Sequence, residues 1–201
     1  MPPPRDLNHI EISNRVTLQF KKEREKQMTQ PKTVYVDMDN VLVDFVSGIN
    51  KLPQEVRDVT TEFDEVDGIF ALMDPVEGAV EAVKKIAASP KIELYILSTA
   101  PWNNTSAWQH KIEWVHRHFG KGKFLDEAGT QPNYLHKRLI LTHHKNLNKG
   151  AILIDDRTKN GADSFDGIHI FFGPKDEKSG RDGRYSTWAD VLDFFEREQL
   201  L

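Results

Sequence analysis

The run Thr33-Val34-Tyr35-Val36 is β-branched or aromatic throughout and ends abruptly in Asp37-Met38-Asp39. An apolar run this short, met at once by acids, describes a strand buried on both faces that stops at a polar edge. The pattern then repeats along the chain. Ile92 to Leu97 ends in Ser98-Thr99, and Leu139-Ile140-Leu141 leads through Thr142-His143-His144 to Lys145. Ala151 to Ile154 ends in Asp155-Asp156, and Ile168 to Phe172 makes a fifth run. Between them, Val76, Val80, Val83 and Ile86 recur at helical spacing. Trp108, Ile112, Val115 and Phe119 do the same before Gly120, a helix stop, and this phasing puts Trp108 in the core. Trp188, Val191, Leu192 and Phe195 lie on one face of a closing helix. Buried strands alternating with amphipathic helices imply parallel pairing with helices on both faces. The fold class is α/β, a doubly wound parallel sheet. Residues 46–75 lack a clear strand and are rich in acids, which reads as a small helical insert after the first strand.

The 201 residues suit one domain over 32–201, preceded at 1–31 by a flexible tail with a PPP run and a mixed-charge stretch. That tail reads as an appendage or as a docking arm. No apolar run approaches the ~20 residues a membrane span needs. The first residues hold no apolar leader stretch, so the expectation is a cytoplasmic protein without a membrane partner. The absence of cysteine excludes disulfides, thiolate metal sites and cysteine catalysis. A net charge of −4 offers no general attraction for nucleic acid. A homodimer is left open.

In open parallel sheets, ligands bind at the carboxyl ends of the strands. The fold would bring Asp37, Asp39, Ser98, Thr99, Lys145, Asp155 and Asp156 to one rim. Each alone has an ordinary explanation, as turn, cap or solvated surface residue. Together they have a chemistry. Carboxylates crowded at one rim repel one another unless a cation intervenes, and a hard all-oxygen set suits Mg²⁺. A carboxylate is a competent nucleophile towards phosphorus, and phosphoryl transfer needs charge held by a metal, a lysine and hydroxyls. Asp37 and Asp39, two apart in extended backbone, project to the same side, so one can attack while the other handles a proton. A receiver domain of two-component signalling shares these residue types. Its order differs: here the lysine precedes a second acidic pair, and an insert follows the first strand.

The run Val36-Asp37-Met38-Asp39-Asn40-Val41-Leu42-Val43-Asp44-Phe45 resembles the first motif of the haloacid-dehalogenase superfamily, in the form found in its 5'(3')-deoxyribonucleotidase branch. Phe70 to Val83, Ile96 to Pro101, Leu141 to Lys145 and Leu153 to Arg157 resemble further stretches of that branch, all in order over roughly residues 33–173. The resemblance implies a Rossmann-like core with a cap at about 46–75, shorter than in the animal enzymes, that closes over the substrate. It implies Asp37 as the residue that takes the phosphoryl group and Asp39 as acid, then base. Ser98, Thr99 and Lys145 would hold the phosphate. Mg²⁺ would be held by Asp37, the Asp39 carbonyl and Asp156, with Asp155 in support. Phe45 and Phe70 match positions that pack the nucleobase, although ordinary core packing explains them equally well. The implied substrate is a small phosphomonoester, in first place a deoxynucleoside monophosphate.

Other readings stay in view. A sugar phosphate is an alternative substrate, and a non-catalytic binding protein on the same fold is an alternative role. Terminal phosphates of nucleic acid fit poorly with the acidic balance. His116, His118, His143 and His144 invite zinc, yet no third ligand stands at a recognisable spacing. No phosphate-cradling glycine motif is present, which argues against an ATP-dependent kinase. Trp102, Trp108 and Arg157 are further candidates for a base or sugar pocket. The Arg181-Asp182-Gly183-Arg184 stretch reads as a solvated loop.

Overall fold

The structure, a computed structural model, describes residues 30–201. The tail expected over residues 1–31 lies, save for its last two residues, outside the described residues. Five strands pair in parallel in the order β5-β4-β1-β6-β7: β1 (Lys32–Val36), β4 (Ile92–Ser98), β5 (Leu139–Leu141), β6 (Ile152–Asp155) and β7 (Ile168–Phe171). The central β1 lies between β4 and β6, with Val36 beside Ile96 on one side and Ile154 on the other. Chain order reverses direction across the sheet beside β1, and there Asp37 leaves it.

Strand alternation sorts the apolar side chains into two layers. Val34, Val36, Leu94, Ile96, Ile152 and Ile154 face one core. That core is closed by α4 (Ala79–Ala88), α5 (Thr105–Phe119) and α6 (Trp188–Arg197), through residues such as Val83, Trp114 and Phe195. Tyr35, Leu97 and Leu153 face the other way, onto Ala162 and Phe165. The long helices thus share one core, and single 3₁₀ turns, Lys145–Leu147 and Ala162–Ser164, are the helical elements of the β5–β6 and β6–β7 connections. Those connections, residues 142–151 and 156–167, are too short for a long helix and its return.

Beyond Asp37 and Asp39 the chain forms a two-residue strand, β2 (Val43–Asp44), paired antiparallel with β3 (Asp74–Pro75). This ribbon pinches the base of the segment between them. That segment holds α1 (Phe45–Asn50), α2 (Gln54–Val59), a 3₁₀ turn at Phe63–Glu65 and α3 (Ile69–Leu72). Ile69 and Phe70 anchor α3 in the main core, whereas no residue of α2 is buried.

Trp108 departs from the sequence reading. It is half exposed, and the buried stripe of α5 runs through Ala107, Lys111, Trp114, Val115 and Phe119. Treating Lys111 as a solvent-facing residue rotates the inferred apolar face and carries Trp108 inward by mistake. Among the described residues, no helix is long and apolar enough to cross a membrane.

The turn bearing Lys145 is fixed by a close approach. Its backbone nitrogen donates to the carbonyl of Asn160 (2.8 Å), and the adjoining Gly161 has φ +80°. A Cβ at Gly161 would collide with the Asn146 side chain and come within 3.1 Å of its backbone nitrogen. Gly161→Ala is therefore expected to lower unfolding free energy by about 2 kcal/mol in urea titration, from left-handed strain plus the clash.

Candidate active site

All the acidic strand ends meet at the carboxyl edge of the sheet. Asp37 follows β1 directly, and its backbone nitrogen donates to the Ile154 carbonyl (2.9 Å), which ties it beside β6. Asp39 lies two residues on, where Asn40 takes a left-handed conformation (φ 57°) and the chain turns back into β2. Asp155 ends β6 and Asp156 follows it. Asp37, Asp39, Asp155 and Asp156 are all buried.

Two buried lysines hold this group together. Lys145 places its Nζ 3.0 Å from Asp37 Oδ1 and hydrogen-bonds Asp155 Oδ2. Burial alone would lower the Lys145 pKa, but Asp37 and Asp155 outweigh it and hold the ammonium above its ordinary value. The second lysine is Lys111 of α5, which donates to Asp39 Oδ1 (2.7 Å) and to Ser98 Oγ (3.1 Å). Its Nζ also sits 4.6 Å from the centre of the Phe70 ring. Lys111 was not among the residues singled out from sequence. The signal was present, a lysine four residues after Ala107 and four before Val115 in a buried stripe.

The carboxylates are set apart by these partners. Burial would raise the Asp37 pKa, but Lys145 and Lys111 outweigh it, so its carboxylate stays charged. Burial raises Asp39, with the nearby Asp37 charge adding to it and Lys111 opposing. Burial, reinforced by Asp37 and opposed by Lys145, pushes Asp155 up to about 7. Asp156 rises to about 6 through burial, with Arg157 opposing and Asp37 adding. One carboxylate oxygen each from Asp37, Asp155 and Asp156 lies within 4.8 Å of the other two, and among the described residues this is the one such grouping of His, Asp or Glu. The histidine pairs therefore assemble no zinc site there. Beyond the Lys145 ammonium at Asp37 Oδ1 and the Arg157 guanidinium 3.5 Å from Asp156 Oδ1, these two buried oxygens accept no hydrogen bond. Three buried carboxylates that turn oxygens toward one another fit a bound divalent cation.

The other expected residues are placed as follows. Ser98 is fully buried, with its hydroxyl accepting from Lys111. Thr99 donates its hydroxyl to the Thr142 carbonyl (3.0 Å), linking the ends of β4 and β5. Phe45 lines an open cleft of about 360 Å³ together with Asp39, Asn40, Thr61, Phe63, Arg157 and others. Phe70 stands behind it, its ring edge-on to Phe45 at 5.9 Å, and is nearly inaccessible. Phe70 thus supports the cleft wall and does not line it. Trp102 is exposed, edge-on to His143 at 6.1 Å. Asp182 and Arg184 are exposed as expected, but Arg181 is not simply solvated: it donates to the Pro174 carbonyl (2.9 Å) and the Asp156 carbonyl (3.1 Å), bracing the second acidic pair.

A parallel sheet with one acidic pair after β1 and another at the end of β6 is the architecture of the haloacid-dehalogenase superfamily. Residues 49–200 match the family described as "5' nucleotidase, deoxy (Pyrimidine), cytosolic type C protein". A Vibrio phage KVP40 protein provisionally named a 5'(3')-deoxyribonucleotidase is 42% identical over 190 residues, covering 94% of this chain and 99% of that protein. The Bacillus subtilis (strain 168) 5'(3')-deoxyribonucleotidase is 25% identical over 183 residues, 80% of this chain and 96% of the relative. The cytosolic-type human enzyme of that name is 25% identical over 158 residues, 65% of this chain and 73% of its own length. The chain belongs to this 5'(3')-deoxyribonucleotidase family.

Two outcomes are expected. Carboxyls raised by burial cost the cation-free fold stability as pH climbs from their ordinary range to about 7, because the folded state then holds protons the unfolded state has released. A bound cation removes that cost, so added Mg²⁺ should raise Tm by more at pH 7.5 than at pH 5.5. Equal increments in thermal melts would contradict it. Separately, Lys111→Met strands a buried carboxylate and should cost about 3 kcal/mol in urea unfolding. Adding Asp39→Asn to it should recover part of that loss, a coupling read from the double-mutant cycle.

Proposed function

We propose that the protein is a Mg²⁺-dependent phosphomonoesterase that works through an aspartyl-phosphate on Asp37 and prefers deoxynucleoside monophosphates. The observation that carries this reading is the arrangement around Asp37. The Lys145 ammonium holds Asp37 Oδ1, and Asp37, Asp155 and Asp156 bring one carboxylate oxygen each into a common buried pocket.

In this reading an Asp37 carboxylate oxygen attacks phosphorus and the ester P–O bond breaks in line. Asp39, oriented by Lys111, gives its proton to the departing alkoxide. The same carboxylate, now charged, takes a proton from the water that attacks the acyl phosphate, which frees phosphate and restores Asp37. Lys145 offsets negative charge on the phosphoryl oxygens. Thr99 contributes a hydroxyl at the end of β4. Ser98 positions Lys111 as much as it serves the phosphate. Asp37, Asp156 and the Asp39 carbonyl would hold the cation, with Asp155 in support, and when bound it neutralises charge on the transferring group.

The segment at 46–75 acts as the cap, and Phe45 at the cleft wall offers an aromatic face to a nucleobase. The names carried by the relatives support a deoxynucleotide over other small esters. A sugar phosphate would leave Phe45 unused.

The test is phosphate release from deoxy- and ribonucleoside monophosphates, a sugar phosphate and an aryl phosphate, with and without EDTA. The expected result is Mg²⁺-dependent release with the highest kcat/KM for a deoxynucleotide. Asp37→Asn should lose roughly 10³-fold or more in kcat with Tm maintained. Near-normal turnover in that variant would sink the mechanism.

A further inference from the structure

Asn104 sits one residue before α5, is almost fully buried, and uses its whole side-chain amide. Its Oδ1 accepts from the Ala107 backbone nitrogen (3.2 Å), capping α5, and from Ser106 Oγ (2.7 Å). Its Nδ2 donates in the other direction, to the backbone carbonyls of Asp64 and Val66, both at 2.9 Å. Ser106 Oγ completes the junction by accepting from the Gly68 nitrogen (3.0 Å). One buried amide therefore joins the connection that follows Ser98-Thr99 to the turn that precedes α3.

What this junction fastens is otherwise held by partly buried Val56, Phe63 and Val66 and by a bond from Asn103 to Glu65 (2.7 Å). None of residues 53–68 is buried, whereas Ile69 and Phe70 are anchored in the core. The junction falls where the loosely packed part of the segment meets the anchored part. Thr61, Glu62, Phe63 and Asp64 of that loose part form one wall of the cleft, opposite Asp39, Asn40 and Arg157. Segments with few apolar contacts open at low free-energy cost unless backbone bonds tie them down.

We propose that Asn104 is a positioning residue for substrate selection. It holds the 61–64 wall at a fixed height over the reactive aspartates, and the advantage of a nucleoside monophosphate over a small ester depends on that height. A nucleotide must fill the phosphate site and touch the wall together, so part of its binding energy comes from a surface whose place Asn104 sets. A small aryl phosphate needs only the phosphate site. This inference rests on the phosphomonoesterase reading above.

Asn104→Asp separates the two jobs of the side chain. An aspartate caps the helix as well as asparagine does, but it has no amide protons for the Asp64 and Val66 carbonyls. Ser106→Ala removes the bond to Gly68 and leaves the cap residue in place. Both variants and the wild type would be assayed with a deoxynucleoside monophosphate and with p-nitrophenyl phosphate, alongside Tm and limited proteolysis of residues 53–68. For Asn104→Asp the expected result is a rise of about tenfold in KM for the nucleotide, a kcat change of about twofold or less, and little change with the aryl ester. Faster cleavage within 53–68 should accompany it, and Ser106→Ala should shift the same way by less. Unchanged nucleotide preference in both variants would overturn the proposal. So would equal losses on both substrates, which would mark Asn104 as a support of the whole site. If Asn104→Asp fails to fold, the Ser106→Ala result decides alone. No turnover of either ester by the wild type would instead remove the phosphomonoesterase reading.

Discussion

Crowding of carboxylates at the carboxyl edge of the sheet is the constraint on which the remaining structure depends. Asp37, Asp39, Asp155 and Asp156 are buried together, and burying like charges is costly unless each finds a partner. Lys145 and Lys111 reach the cluster from different elements, a 3₁₀ turn and a long helix. They divide it unequally, leaving Asp37 ionised and Asp39 raised. Arg181 fixes the backbone of Asp156 from a third direction. What stays in excess, the negative charge of Asp37, Asp155 and Asp156 around one point, is what a cation would offset.

The fold supplies these partners through its topology. β1 and β6 are neighbours, so their acidic ends meet although they are distant in sequence. The turn at Lys145–Leu147 packs by the turn at Ala162–Ser164, and the left-handed Gly161 permits that approach. The helical segment between β2 and β3 adds a wall opposite the aspartates, joined to the sheet by Asn104. Two kinds of linkage thus converge on one cleft: ion pairs beneath the reacting groups and neutral hydrogen bonds beneath the cleft wall.

Much of this was legible in the sequence because each strand is short and apolar, and all but the last end in a polar group. The five strands, their parallel pairing and the rim formed by Asp37, Asp39, Lys145, Asp155 and Asp156 follow from that one pattern. The family resemblance supplied roles that spacing alone leaves open. What escaped has a common physical origin: polar side chains whose burial depends on tertiary partners. Lys111 sits in an apolar stripe and looks like a surface lysine until Asp39 is placed opposite, and an apolar face drawn without it takes in Trp108. Arg181 looks solvated until the Asp156 carbonyl is seen above it. Phe70 matched a base-packing position, yet it is buried behind Phe45 and faces Lys111. Asn104 was not singled out: besides capping α5, it makes a second pair of bonds that depends on where a separate segment folds.

The covalent step proposed at Asp37 is tested most directly by trapping it. The protein would be mixed with Mg²⁺ and a deoxynucleoside monophosphate, quenched in acid, and reduced with borohydride, which converts an aspartyl-phosphate to homoserine. Peptide mass spectrometry then locates the reduced residue. Homoserine at position 37, with Asp39, Asp155 and Asp156 unmodified, is the expected result. Phosphate release with no reduced aspartate, or with reduction at one of the other three, would contradict it.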